Sequence, residues 1–252
     1  RPVSSAASDV YKRQLIDRAL DDELIFIADP ILDPISYGFT DSLVRYVNLR
    51  EKYPDIHIMM GLGNITELTH ADTSGINMIM LGIIEELKLN HILTTQVSRH
   101  CSTVIRETDL ARRIIHAASE NNLTPKHIND GLLVHHGHKD YAFCSDELIE
   151  MQGNIKDKNY RIYVNDDGIH LFNKNVYKIF SDPFDFYEHL EVSDDAGHAF
   201  YLGVELARAQ IAYQLQKEYQ QDEELSWGCL VDKKVDNKLQ AKELGPTFKK
   251  RK

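Results

Sequence analysis

The sequence predicts an α/β protein in which strands alternate with helices, followed by a small α+β domain. Three observations predict it. Over the first half of the chain, short continuous apolar runs alternate with stretches of helical periodicity, the pattern of parallel strands joined by right-handed crossovers. The first two runs end in Asp29-Pro30 and in Gly61-Leu62-Gly63-Asn64, residues that form loops. In the second half, a polar–apolar alternation on either side of Asp166-Asp167-Gly168 reads as a β-hairpin, and a long helix follows it.

The elements follow in order. Residues 1–14 (RPVSSAASDVYKRQ) carry charges with no apolar run behind them and so show no signal-peptide pattern. They read as an adapter-derived or disordered segment outside the fold, and the chain as the C-terminal part of a longer protein. Residues 24–27 (LIFI) are the first buried strand. Residues 40–52 place Leu43, Val44, Val47 and Leu49 at helical spacing, with Thr40 as the cap. Residues 56–60 (IHIMM) are the second strand, 73–87 a mostly apolar helix, 91–95 (HILTT) the third strand, and 106–121 an amphipathic helix. Residues 15–121 thus form one domain and 122–156 a helical or looped connector. Residues 157–232 form the second domain, with a hairpin at 159–164 and 169–172 and a helix at 198–219. Leu202, Leu206, Ala209 and Tyr213 fall on one face of that helix.

Composition narrows the class. The chain has 252 residues, 42% hydrophobic and 27% charged, which suits globular domains. No stretch approaches the roughly 20 apolar residues of a membrane helix, so no membrane partner is expected. Cys101, Cys144 and Cys229 show no CxxC spacing, so neither a disulfide framework nor a zinc finger is indicated, and a reducing cytoplasm is expected. The net charge is −10, yet the segment 233–252 holds eight Lys/Arg against two Asp/Glu, so the remainder carries −16. A body that acidic repels nucleic acid. The basic tail, lacking apolar periodicity, reads as disordered.

Ligands of parallel α/β proteins sit at the carboxyl ends of the strands. Here those ends carry Asp29, Asn64 and Thr94-Thr95-Gln96. An Asp accepts from a pair of N–H donors, and an Asn can donate to a ring carbonyl and accept from a ring N–H. That suits an amino-heterocycle such as a pterin. Asp29 can equally tighten a turn. Glu67, His70 and Asp72 form a polar cluster beside Asn64, suited to acid–base work or to a second substrate, with helix capping as the other reading of Asp72. His135, His136 and His138 have a spacing that invites a metal, but no carboxylate stands at a familiar distance, and a polar loop is the preferred reading. Cys101 reads as a buried, inert thiol.

The strings IADPILDPISYGF, GLGNITELTHADTSGINMIMLGIIEEL and HILTTQVS resemble the last three strand–helix units of a pterin-binding (β/α)8 barrel. That superfamily includes dihydropteroate synthases and methyltetrahydrofolate–corrinoid methyltransferases. The chain is most similar to the dihydropteroate synthase-related family of tetrahydromethanopterin users, whose extra C-terminal domain GHAFYLGVELARAQIA and YQQDEELSWG resemble. The resemblance implies the C-terminal part of a TIM barrel followed by a small α+β domain. It implies a role in folate or tetrahydromethanopterin biosynthesis, joining a reduced pterin to an arylamine with release of diphosphate. Methyl transfer from a pterin, or carriage of a pterin without turnover, are the alternatives.

The resemblance also implies site residues. Asp29 matches the Asp that holds the pterin ring, and Asn64 matches the Asn of the methyltransferases' Gly-Leu-Ser-Asn. Gly61, Gly63, Thr66 and Gln96 complete the implied pterin set. Ile65 falls where a synthase has Lys, and Thr94-Thr95-Gln96 where it has Arg-Val-His. Arg99 and His100 are the substitute cations, and with Glu67 and His70 they are the catalytic candidates. No metal site is implied, only magnesium arriving with a diphosphate substrate, and the partners are the two small molecules, with a homodimer allowed.

Overall fold

The computed structural model describes residues 5–137 and 139–232, the side chains of 5–12 excepted. It is mixed α/β and divides into two units, Arg1–Leu132 and Leu133–Lys252. The basic tail 233–252 lies outside the described residues.

The first unit runs α1 (Ser5–Asp21), α2 (Phe39–Lys52), β1 (Met59–Gly61), α3 (Gly63–Thr66), α4 (Thr73–Glu86), β2 (His91–Leu93), a 3-10 turn (Arg99–Cys101) and α5 (Val104–Glu120). β1 and β2 pair in parallel, Met60 opposite Ile92. The expected strand at 24–27 is not formed. Only Ala28 joins the sheet, by a parallel bridge to Ile58: it donates to the His57 carbonyl at 2.8 Å and accepts from the Met59 amide at 2.9 Å. Leu24, Ile25 and Ile27 are exposed, and among the described residues nothing pairs along their far edge to draw them into a ladder. The segment set aside as 1–14 is helical from Ser5 onward, and the Tyr53 hydroxyl bonds Asp17 of that helix.

Helices cover one face of this sheet. Ala28, Ile58, Met60 and Leu62 share a core with Tyr46 of α2, with Met80, Leu81 and Ile84 of α4, and with Ala111 of α5. The alternate positions face the other way. There Leu93 is exposed, and His57 Nδ1 lies 2.9 Å from His91 Nε2.

Thr40 does not cap α2. The N-cap is Gly38, in the left-handed region at φ 108°, where a side chain would be strained and a Cβ would meet Asp33 Oδ2 at 3.2 Å. Between α4 and α5 lies a polar core that the apolar periodicity hides. Glu107 is buried, and its carboxylate accepts from Thr73 at 2.6 Å, Asn77 at 3.0 Å and Thr103 at 2.7 Å.

The second unit runs α6 (Ser145–Gly153), β3 (Arg161–Asn165), β4 (Gly168–Phe172), β5 (Tyr177–Phe180), a 3-10 segment (Pro183–His189), α7 (Ala196–Leu215) and a 3-10 turn (Gly228–Leu230). The hairpin stands as expected, with Tyr163 opposite His170, and β5 adds an unexpected third antiparallel strand. The connector read at 122–156 divides: from Leu133 on, α6 included, it belongs to this unit. Ile162, Val164, Ile169 and Leu171 pack against Leu202, Leu206 and Ala209 of α7. Asp195 caps α7 by accepting from the His198 amide at 3.0 Å. Gln216, left-handed at φ 51°, ends it four residues before the expected Tyr219.

Two buried polar groups anchor this unit. His170 donates from Nε2 to Asn165 Oδ1 at 2.7 Å, because that oxygen also receives the Asp167 amide; its Nδ1 therefore accepts from the Tyr177 hydroxyl at 2.9 Å. Burial pushes the His170 pKa down. Lys217 donates to the carbonyls of Val134 at 2.5 Å and Ser226 at 2.7 Å, and its ammonium sits 4.6 Å from the centre of the Trp227 ring. Burial lowers its pKa as well.

Candidate functional site

The strand ends of the first unit gather Asp29, Gly61 to Thr66 and Thr94 to Ser98, as the parallel arrangement requires. Asp29 follows the Ala28 bridge and is exposed. Its Oδ1 accepts from the Ile31 amide at 2.8 Å and from the Tyr46 hydroxyl at 3.3 Å. Burial first, and then the charge of Asp29, push the Tyr46 pKa up, so this phenol remains a donor.

The Asp29–Asp33 turn is held under tension. Ile31, a β-branched residue, sits at φ 66°, a region such residues rarely adopt. Arg45 of α2 fastens the turn from behind, donating to the carbonyls of Pro30 at 3.3 Å and Ile31 at 2.8 Å and to Asp33 Oδ2 at 2.7 Å. Asn64 reaches the same turn, its Nδ2 donating to the Leu32 carbonyl at 2.7 Å. A carbonyl only accepts, which fixes the amide: the Asn64 nitrogen faces Leu32 and its oxygen faces away.

The remaining predicted residues separate. Gly63 lies against Thr95, whose Oγ1 would stand 2.7 Å from a Cβ at 63. A Cβ at Gly61 would meet nothing within 4 Å, so closeness does not demand glycine there. Thr66 is buried, and its hydroxyl turns back to the Leu62 carbonyl at 3.3 Å; it does not face a ligand. Gln96 is exposed.

Glu67 is not placed as a free acid or base. It accepts from the amides of Val97 at 2.8 Å and Ser98 at 2.9 Å. The Ser98 side chain first, then these two amides, hold its carboxyl down at about 2. His70 is exposed, its ring edge-on to His100 with centroids 5.3 Å apart. His100 donates from Nε2 to the Thr66 carbonyl at 3.0 Å. Arg99 is exposed and pairs with no carboxylate among the described residues. Cys101 is buried, its thiol directed at the Thr66 carbonyl at 3.2 Å and pushed up to about 11, chiefly by burial. Asp72 occupies the N-cap of α4 without a side-chain capping bond. His136 faces the Leu215 carbonyl at 3.3 Å, and His138 lies outside the described residues. Among the described residues, no three His, Cys, Asp or Glu groups are placed to share a metal.

Sequence reasoning missed Arg45 and Tyr46. Both sit on a helix whose periodicity announces only packing, and nothing local marks partners 12 to 17 residues away. It also missed a cavity of about 340 Å3 between α1, α2 and the 26–30 segment. Asp29, Arg45, Phe26, Leu49 and Tyr53 line it, whereas Asn64, Gly63 and Gln96 do not. Asp29 therefore borders this cavity as well as the strand-end cluster.

The chain is 30% identical over 242 residues to an uncharacterized protein of Methanocaldococcus jannaschii, a match that covers 84% of this chain and 44% of that protein. The chain thus spans less than half the length of the relative. No family model matches it. No solved structure matches it either.

Proposed function

We propose that this chain supplies the pterin-holding strand ends of a dihydropteroate synthase-like protein, one that joins a reduced pterin to an arylamine in folate or tetrahydromethanopterin biosynthesis. The observation that carries the reading is the pairing of Asp29 with Asn64. Both are tied to the Asp29–Asp33 turn, and both are left with an oxygen to offer: the carboxylate by its second oxygen, the amide by the orientation that Leu32 imposes. Two acceptors held by one turn suit a ligand edge that carries N–H donors, as the amino-pyrimidine edge of a pterin does.

The one-sided cover of the sheet supports a barrel as the setting. Doubly wound sheets carry helices on both faces, whereas in a (β/α)8 barrel the helices ring the outside and side chains fill the inside. Exposed Leu93 of β2 is a residue such an interior would bury.

A second reading, methyl transfer from a pterin or carriage without turnover, is favoured by a specific feature. Ile65 is buried in the core, Gln96 is neutral, and the His100 N–H is spent on Thr66. Of the proposed cations only Arg99 is free to meet a diphosphate, together with any magnesium the substrate brings. The test is calorimetric titration with a reduced pterin, then pyrophosphate release from hydroxymethyl-dihydropterin diphosphate with an arylamine, with and without magnesium. Binding with turnover supports the synthase; binding without turnover moves the reading to the second; no binding removes both.

A further inference from the structure

The loop after β2 carries Thr95 and Gln96 into the strand-end cluster, and little packs it in place: residues 95–97 are exposed, Val97 at 85%. One side chain ties it down. Glu67, the residue directly after α3, spreads its two oxygens over consecutive amides, Oε1 taking Val97 and Oε2 taking Ser98. The hydroxyls of Ser98 and Thr95 add to the same carboxylate. From the other side, Thr95 fills the space left by the missing Cβ of Gly63. Both contacts come from the short segment that presents Asn64.

We infer that Glu67 is a positioning residue that fixes the gap between Asn64 and the Thr95-Gln96 loop, and so sets the width of the mouth that admits the ligand ring. This rests on the pterin-site reading above. The chemistry requires a carboxylate in particular. Two parallel N–H donors need two acceptor oxygens, and an amide in the same place would turn an NH2 group toward one of them. The role is separate from proton transfer, because every oxygen is already engaged in the resting site.

The test compares the full chain with Glu67→Gln and Glu67→Asp. Amide proton shifts and hydrogen exchange at Val97 and Ser98 read the clamp, and titration with 7,8-dihydropterin reads the mouth. Glu67→Gln should move both amide shifts upfield, remove their protection, and weaken dihydropterin roughly tenfold or more, since small misplacements of a binding group are costly. Glu67→Asp, which keeps the charge but is shorter, should restore part of each effect, and it replaces Glu67→Gln if that variant does not fold. Unchanged shifts and protection would overturn the clamp. Lost protection with unchanged affinity would overturn the positioning role. Failure of the unsubstituted chain to bind dihydropterin would instead sink the pterin-site reading and this role with it, leaving the clamp to be judged by exchange alone.

Discussion

Asp29 and Asn64 are both exposed, yet each is oriented by a partner that a ligand would not displace, Tyr46 for the carboxylate and the Leu32 carbonyl for the amide. Asp29→Ala or Asn64→Ala should therefore weaken reduced-pterin binding by about 1–3 kcal/mol each while barely moving the melting temperature, as calorimetry and thermal melts will show. Equal affinities in all three proteins would remove the ligand from these strand ends. Glu67 gives a pH dependence of known sign. Its folded value of about 2 lies below the ordinary 4.5, so its stabilising effect is complete above 4.5 and is lost as pH falls from there through about 2. Exchange protection at Val97 and Ser98 should hold near neutrality and decline across that window, and Glu67→Gln should abolish the decline. The sequence marks Asp29 and Asn64 because each stands within four residues of the end of an apolar run. It misjudges Thr66, whose hydroxyl turns back to a carbonyl four residues earlier, and Glu67, whose carboxylate is taken up by a loop some 30 residues away.

The elements repeat that division between local and distant causes. α4, α5 and α7 are legible within a few residues because apolar spacing continues along each of them. The 24–27 run is apolar enough for a strand, but a strand also needs neighbours on its edges, and composition does not supply those. β5 escaped because four residues next to a turn carry too little alternation to register. The Glu107 cluster is invisible in sequence, since two of its donors lie 30 and 34 residues away. Removing that carboxylate leaves Thr73, Asn77 and Thr103 without their acceptor in a buried space. Glu107→Ala should cost about 2–4 kcal/mol in urea denaturation, and Glu107→Gln, which keeps an acceptor, distinctly less. If the alanine variant proves as stable as the parent, the network does not hold α4 to α5. In the second unit, Leu206→Ala should cost about 2–5 kcal/mol by opening a cavity under the three-stranded sheet.

Across the molecule, the uncovered sheet face governs solution behaviour. Leu93 is 52% exposed on that face, and the unpaired run before the sheet leaves Ile25 fully exposed at 104% and Ile27 at 50%; exposed apolar groups of this kind recruit other chains. The chain should self-associate as its concentration rises, and replacing Ile25 and Ile27 together by Lys should suppress the association in light scattering. A parent that stays monomeric at high concentration would contradict this. The two units also give the chain an internal reporter. The sequence holds one tryptophan, Trp227, and it belongs to the second unit, where the Lys217 ammonium lies over its ring. Intrinsic tryptophan emission therefore watches the second unit alone, and loss of the ammonium from the indole face changes its surroundings when that unit opens. Circular dichroism sums both units. Where the fluorescence and dichroism transitions fail to coincide, their separation measures how far each half of the chain melts on its own account.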